Sequence, residues 1–90
     1  GEMKQAIVVR AEIFREGHLY LGVCPDLSVS SFGETVEDAK SALREAVEAF
    51  LEECEAIGTL EEVLEEAGFV RQNGHWMARQ PISAELVAIN

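Results

Sequence analysis

The sequence predicts one small α+β domain in the order β-β-β-α-(short α)-β, with a long helix packed on one face of an antiparallel or mixed sheet. Two patterns and a set of punctuating residues predict it. Lys4 to Arg15 alternates with period two, and a second apolar run, Leu19 to Cys24, follows almost at once. From Ala39 to Ile57 the apolar residues instead recur every three or four positions. Between and after these segments stand Pro25-Asp26, Gly33-Glu34-Thr35, Gly58 and Gly68, the residue types that stop strands and start or end helices.

Ninety residues suffice for one core, so residues 1–90 are read as a single domain. Gly1-Glu2 ahead of Met3 has the look of a tag remnant, and residues 1–3 are left out of the fold. In the first strand Ile7, Val9, Ala11 and Ile13 point one way, and Val8, Arg10, Glu12 and Phe14 the other. The turn Arg15-Glu16-Gly17-His18 sends the chain back as Leu19–Cys24, with Leu19, Leu21 and Val23 on one face and Tyr20, Gly22 and Cys24 on the other. Pro25 ends that strand because it supplies no N–H to the ladder. Leu27 to Phe32 is a third strand, serine-rich and therefore short or near an edge.

Thr35 is the expected N-cap of the long helix, with Asp38 three residues on. Its inner stripe is Ala39, Leu43, Ala46, Val47, Phe50, Cys54 and Ile57, and Gly58 closes it. Thr59-Leu60-Glu61-Glu62 reads as a full capping box for a second, short helix that ends at Gly68, with Phe69 placed for the hydrophobic contact of such an end. Asn73-Gly74 marks a tight turn. His75–Arg79 and Ala84–Ile89 are the remaining strand candidates, the second being the better patterned.

Charge narrows the function. The net charge is −10, from 7 basic and 17 acidic residues. A free nucleic-acid binder of this size is expected to be basic, so direct DNA or RNA contact is disfavoured and a basic protein partner suits the field better. Solubility alone is the plainer use of the same charge. Cys24 and Cys54 form no CxxC unit and no zinc spacing, and both read as buried free thiols. No signal peptide or membrane-length apolar run is evident, so the expected location is the cytoplasm.

No catalytic constellation or phosphate-binding loop can be drawn, and no cofactor or metal is expected. His18 and His75 lack a spaced partner. Trp76 and Met77 read as core or oligomer contacts. The candidate contact residues are Asp26, at an exposed corner, and Glu45, Glu48, Glu52 and Glu55, neighbours on the outer helix face. Each has an ordinary structural use as well, in turn chemistry and in a solvated helix face. Apolar residues on both sides of the first strand further predict a homo-oligomer of dimeric or higher order, with Val8, Phe14 and Tyr20 as candidate interface residues.

The stretch Leu19–Ala46 resembles the HicB-like antitoxin family of small prokaryotic proteins, which carry a Tyr-x-Pro-Asp-Leu-Pro-Gly-Cys-type strand and a Gly-x-Thr-x-Glu-Glu-Ala helix start. Tyr20, Pro25, Asp26, Leu27, Gly33, Thr35, Ala39 and Ala46 match that pattern. The resemblance covers Ile7 to Ile57, and more loosely the second helix and C-terminal strand. It implies a partial RNase H-like sheet without a nuclease site, and pairing with a small basic HicA-type toxin that cleaves mRNA. Ser28-Val29-Ser30 stands where the family has Pro-Gly-Cys, and no C-terminal DNA-binding module is expected before Asn90. The alternatives are a stand-alone structural or ligand-sensing oligomer, and a metal-dependent nuclease built on carboxylates such as Glu12, Asp26 and Glu85.

Overall fold

The structure is a computed structural model, and it describes residues 6–90. The elements run β1 (Ile7–Val8), β2 (Glu12–Glu16), β3 (Leu19–Cys24), β4 (Val29–Gly33), α1 (Val36–Ile57), α2 (Leu60–Glu66), β5 (Val70–Gln72) and β6 (His75–Met77). The fold is α+β, with two helices and two three-stranded sheets ordered β2-β3-β4 and β1-β6-β5.

The predicted first strand divides. Lys4 and Gln5 lie outside the described residues. Ile7 and Val8 pair in parallel with Trp76 and Met77, whereas Glu12–Glu16 pairs antiparallel with Leu19–Val23. Residues 9–11 are the crossing between the two sheets, and there Arg10 donates to the Asp26 carboxylate (3.2 Å) and to the Arg79 carbonyl (2.7 Å). Period-two patterning continues through such a crossing because both halves are extended, so alternation alone does not reveal the change of partner.

The third strand begins at Val29, two residues later than expected. The N–H of Leu27 donates to the Cys24 carbonyl and that of Ser28 to the Pro25 carbonyl, and Ser28 takes φ +56°, so residues 25–28 form the turn. In the β2-β3-β4 sheet Gly22 lies opposite both Ile13 and Ser31, and Leu21 opposite both Phe14 and Phe32. Directly opposed residues share a face, so the sheet's two sides follow from the register. The Gly22 side receives α1: a Cβ there would stand 3.2 Å from Leu43 Cβ and 3.4 Å from Ile13 Cδ1.

Helix α1 has the predicted span. The Thr35 hydroxyl accepts the Asp38 N–H (3.0 Å), and Gly58, at φ +80°, ends the helix in the left-handed conformation. Its buried stripe is Ala39, Leu43, Val47, Leu51 and Cys54. Leu51 replaces three expected members, since Ala46 and Phe50 are only half-buried and Ile57 is exposed. Four-residue steps from Ala39 to Leu51 keep the stripe narrow and leave those neighbours to its side.

The expected capping box at Thr59 does not form. Thr59 follows the Gly58 reversal immediately, and its N–H and hydroxyl both turn back to the Cys54 carbonyl (2.8 and 3.4 Å). Helix α2 closes at Gly68, with the Phe69 N–H on the Leu64 carbonyl and the Phe69 ring buried, as the sequence predicts.

Asn73-Gly74, both at positive φ, joins β5 to β6. β5 is an element the sequence reading missed. The His75–Arg79 candidate stops at Met77. Ala84–Ile89, the better-patterned candidate, is not a strand: residues 78–90 contain no helix or strand, and Ile82, Leu86, Val87 and Ile89 are exposed. The core gathers Cys24, Leu43, Val47 and Leu51 with Leu64, Phe69, Trp76 and Ala78, so both sheets and both helices contribute to one cluster. Among the described residues no helix is long and apolar enough to cross a membrane.

Candidate functional surfaces

Asp26 and the glutamates sit in different environments. Helix α1 buries its Ala39–Cys54 stripe, which turns Glu45, Glu48 and Glu55 outward to solvent and leaves Glu52 half-buried. Asp26 is held by the Pro25–Ser28 turn with its carboxylate only 11 % exposed, 3.2 Å from the Arg10 guanidinium. That ion pair ties the β3–β4 corner to the crossing between β1 and β2. The corner is therefore internally satisfied, and of the five candidate contact residues those offered to the outside lie on α1.

That surface is larger than the four glutamates singled out from the sequence. Glu53 on α1 and Glu61, Glu62, Glu65 and Glu66 on α2 are also exposed. From Glu45 to Glu66 the chain holds nine glutamates, and no lysine or arginine occurs between Arg44 and Arg71. Among the described residues the ion pairs that involve a helix glutamate are Lys40–Glu37 near the start of α1 and Arg71–Glu61 beside α2, the latter at 3.7 Å. Neither helix has a basic residue in its last turn, while Glu55, Glu65 and Glu66 stand there. Carboxylates at that end oppose the partial negative charge of the helix terminus, and like charges three or four residues apart repel. The arrangement is electrostatically costly for the free protein, and it generates a concentrated negative field. The Glu61-Glu62 and Glu65-Glu66 pairs are the sequence signal that α2 adds exposed acid to that of α1.

The candidate interface residues separate. Phe14 is 51 % exposed on the side of the sheet away from α1, where Leu21 links it to Phe32, itself 54 % exposed. Tyr20 lies opposite Arg15 in the ladder and falls on the other face from Leu21, with the Arg15 guanidinium 5.3 Å from its ring centroid. Val8 is exposed on β1, in the other sheet. Phe32 is the member of the apolar row that the sequence reading left out, because only the β3–β4 register aligns it with Phe14.

Trp76 is a core residue, buried with the Arg71 guanidinium 4.8 Å from its ring centroid. His18 and His75 are exposed. Cys24 and Cys54 are buried and unpaired, as expected, and burial pushes the Cys24 thiol pKa up. The carboxylates considered for a nuclease do not converge: Glu12 is exposed on β2, Asp26 pairs with Arg10, and Glu85 accepts from Ser83. Among the described residues no group of three or more His, Cys, Asp or Glu is placed to hold a metal ion.

Comparisons with protein-family models, with curated proteins and with solved structures return no match for this chain.

Proposed function

We propose that this chain is a non-catalytic, HicB-like binding protein of the antitoxin type, which neutralises a small basic HicA-type ribonuclease by covering its RNA-binding surface. The exposed glutamates from Glu45 to Glu66 on α1 and α2, of which only Glu61 has a basic partner among the described residues, carry the reading. Nine glutamates uninterrupted by a basic residue, several of them at helix C-termini, cost the free protein stability that a cationic partner would restore. The resemblance over Leu19–Ala46 supports it, as does the β-hairpin leading through a Pro-Asp corner and a third strand into a Thr-capped helix. In this reading the two small sheets and α1 are a partial RNase H-like arrangement used as a scaffold, in the cytoplasm of a prokaryote. Glu45, Glu48, Glu52 and Glu55 are the contacts, joined by the α2 glutamates, and Asp26 fixes the corner that orients β4 and α1.

The test is co-expression with a small basic protein encoded beside this one. The partner alone should arrest growth and degrade mRNA, and this chain should relieve both. Replacing Glu48, Glu52 and Glu55 together by lysine should abolish relief while the variant stays folded. Relief that survives this charge reversal, or a neighbour that cleaves no RNA, would overturn the reading.

A further inference from the structure

Among the described residues, 81–90 are the long stretch that leaves its apolar side chains exposed. Ile82 and Leu86 are 107 % and 104 % exposed, as open as in an isolated strand, and Val87 and Ile89 are also exposed. Among the described residues, nothing beyond Arg79 makes a backbone hydrogen bond to another element; the one side-chain bond in the segment is local, from Ser83 to Glu85. Yet the composition is that of a strand. Ala84-Glu85-Leu86-Val87-Ala88-Ile89 has one charge, no glycine and no proline, with Pro81 ahead of it to set it off from β6. Apolar residues occur at both odd and even positions, the pattern of a strand covered on both faces rather than one lying on a surface.

The same molecule has an unfilled place for such a strand. Among the described residues β4 is an edge of the β2-β3-β4 sheet, so one row of its backbone N–H and C=O groups has no ladder partner there. Its five residues, Val29–Gly33, include no charged side chain, and the exposed Phe32 stands on its outer face, continuing to Leu21 and Phe14. The other edges fit less well. β2 carries Glu12, Arg15 and Glu16, β5 carries Arg71, and β1 is two residues long. Edge strands that remain monomeric are usually protected by charge, proline or a bulge, and β4 has none of these.

We infer that segment 82–89 of one copy adds as a strand to the free edge of β4 in a second copy, and that the exchange is reciprocal about a two-fold axis. Added there, alternate tail side chains sit beside Phe32 on the outer face, and the others lie on the α1 side. The partner is this same chain because both halves of the contact, a strand without a sheet and an edge without a neighbour, occur in it. The inference is independent of the acidic surface, which lies on the helices.

The oligomeric state and its dependence on the two halves test this. Sedimentation equilibrium of the full chain at high micromolar concentration should give the mass of a dimer. A chain stopped after Gln80 should be a folded monomer by circular dichroism and sedimentation, because the deleted residues are all exposed and, among the described residues, make no hydrogen bond to another element. Phe32→Glu, which leaves the tail whole, should weaken the dimer at least tenfold. Mixing the truncated chain with Phe32→Glu should restore a heterodimer, since one good tail meets one good edge. A monomeric full chain, a dimer that survives truncation, or tail amides protected from exchange in a monomer would each overturn it.

Discussion

Gly33 lies flush against Ala39: a Cβ on Gly33 would fall 2.8 Å from the Ala39 Cα, and 2.6 Å from the carbonyl carbon of Asp38. Neither side can retreat freely. Gly33 is held opposite Tyr20 by the β3–β4 ladder, and the first turn of α1 is pinned by Thr35, whose hydroxyl takes the Asp38 N–H. Gly33→Ala is therefore expected to destabilise the fold by about 3 kcal/mol, the upper part of the range for overpacking. Gly17→Ala meets nothing within 4 Å and carries only the cost of its φ of +65°, about 1 kcal/mol. Urea unfolding of the two variants checks the contrast, and equal losses would mean that close packing at Gly33 is not what holds it.

The two threonines before the helices make a second contrast. Thr35→Ala removes an observed cap and should cost about 1 kcal/mol. Thr59→Ala should cost distinctly less, because its hydroxyl caps nothing on α2 and makes only a long bond to the Cys54 carbonyl. Thermal unfolding of both variants decides it; a larger loss at Thr59 would show that the sequence-predicted capping box forms in solution.

These two sites show which parts of the fold are legible in a sequence. Caps, turns and helix faces are short-range, so Thr35, Gly58, Gly68 and the stripe through Ala39, Leu43, Val47 and Cys54 could be read directly. Partnership is long-range and could not. Alternation spoke for the first strand, which changes sheets at residues 9–11, and strand-like composition for Ala84–Ile89, which pairs with no strand among the described residues. The hairpin around Asn73-Gly74 was half visible, because β5 is three exposed residues of which only Val70 is apolar. Asp26 looked like an exposed corner because its partner, Arg10, is 16 residues away and is delivered by the crossing between sheets. Of the candidate surfaces, the α1 glutamates followed from spacing, whereas the Phe14–Leu21–Phe32 row required the register.

Arg10 and Asp26 should behave as a coupled pair. Each single alanine variant is expected to lose about 2 kcal/mol, since each strands a charged group in a partly buried site. The double variant should lose less than the sum, with a coupling near 1 kcal/mol as found for residues sharing one network. Denaturant titration of the four proteins measures it, and strict additivity would show that the pair is not formed in solution.

The glutamate surface predicts an exchange of stability against binding. Glu55→Lys places a cation in the last turn of α1 and removes a like charge, and should stabilise the free protein by about 0.5 kcal/mol. Added salt should stabilise the unmodified chain more than this variant, because screening relieves repulsion that the substitution has already reduced. Melting temperatures across a salt series provide the check. A destabilised Glu55→Lys variant would mean that Glu55 is engaged in an attractive contact within the fold.

Cys24 gives the pH dependence. Its side chain is fully buried beneath the Pro25–Ser28 corner, and burial raises its pKa against a smaller opposing effect from the Leu27 N–H. The sign follows from proton counting. Above about pH 8.5 the unfolded thiol ionises, whereas the folded one keeps its proton. The unfolded state then binds fewer protons, so stability is complete below that pH and declines as pH rises toward the folded pKa. Cys24→Ala is less stable at neutral pH because it leaves a cavity, but it lacks this decline, and Cys54 is common to both proteins. Unfolding free energies measured from about pH 7 to pH 10 should therefore converge for the two chains as the thiol's ordinary range is crossed. Parallel curves would show that the thiol titrates alike in the folded and unfolded chains, and that the corner does not seal it from water.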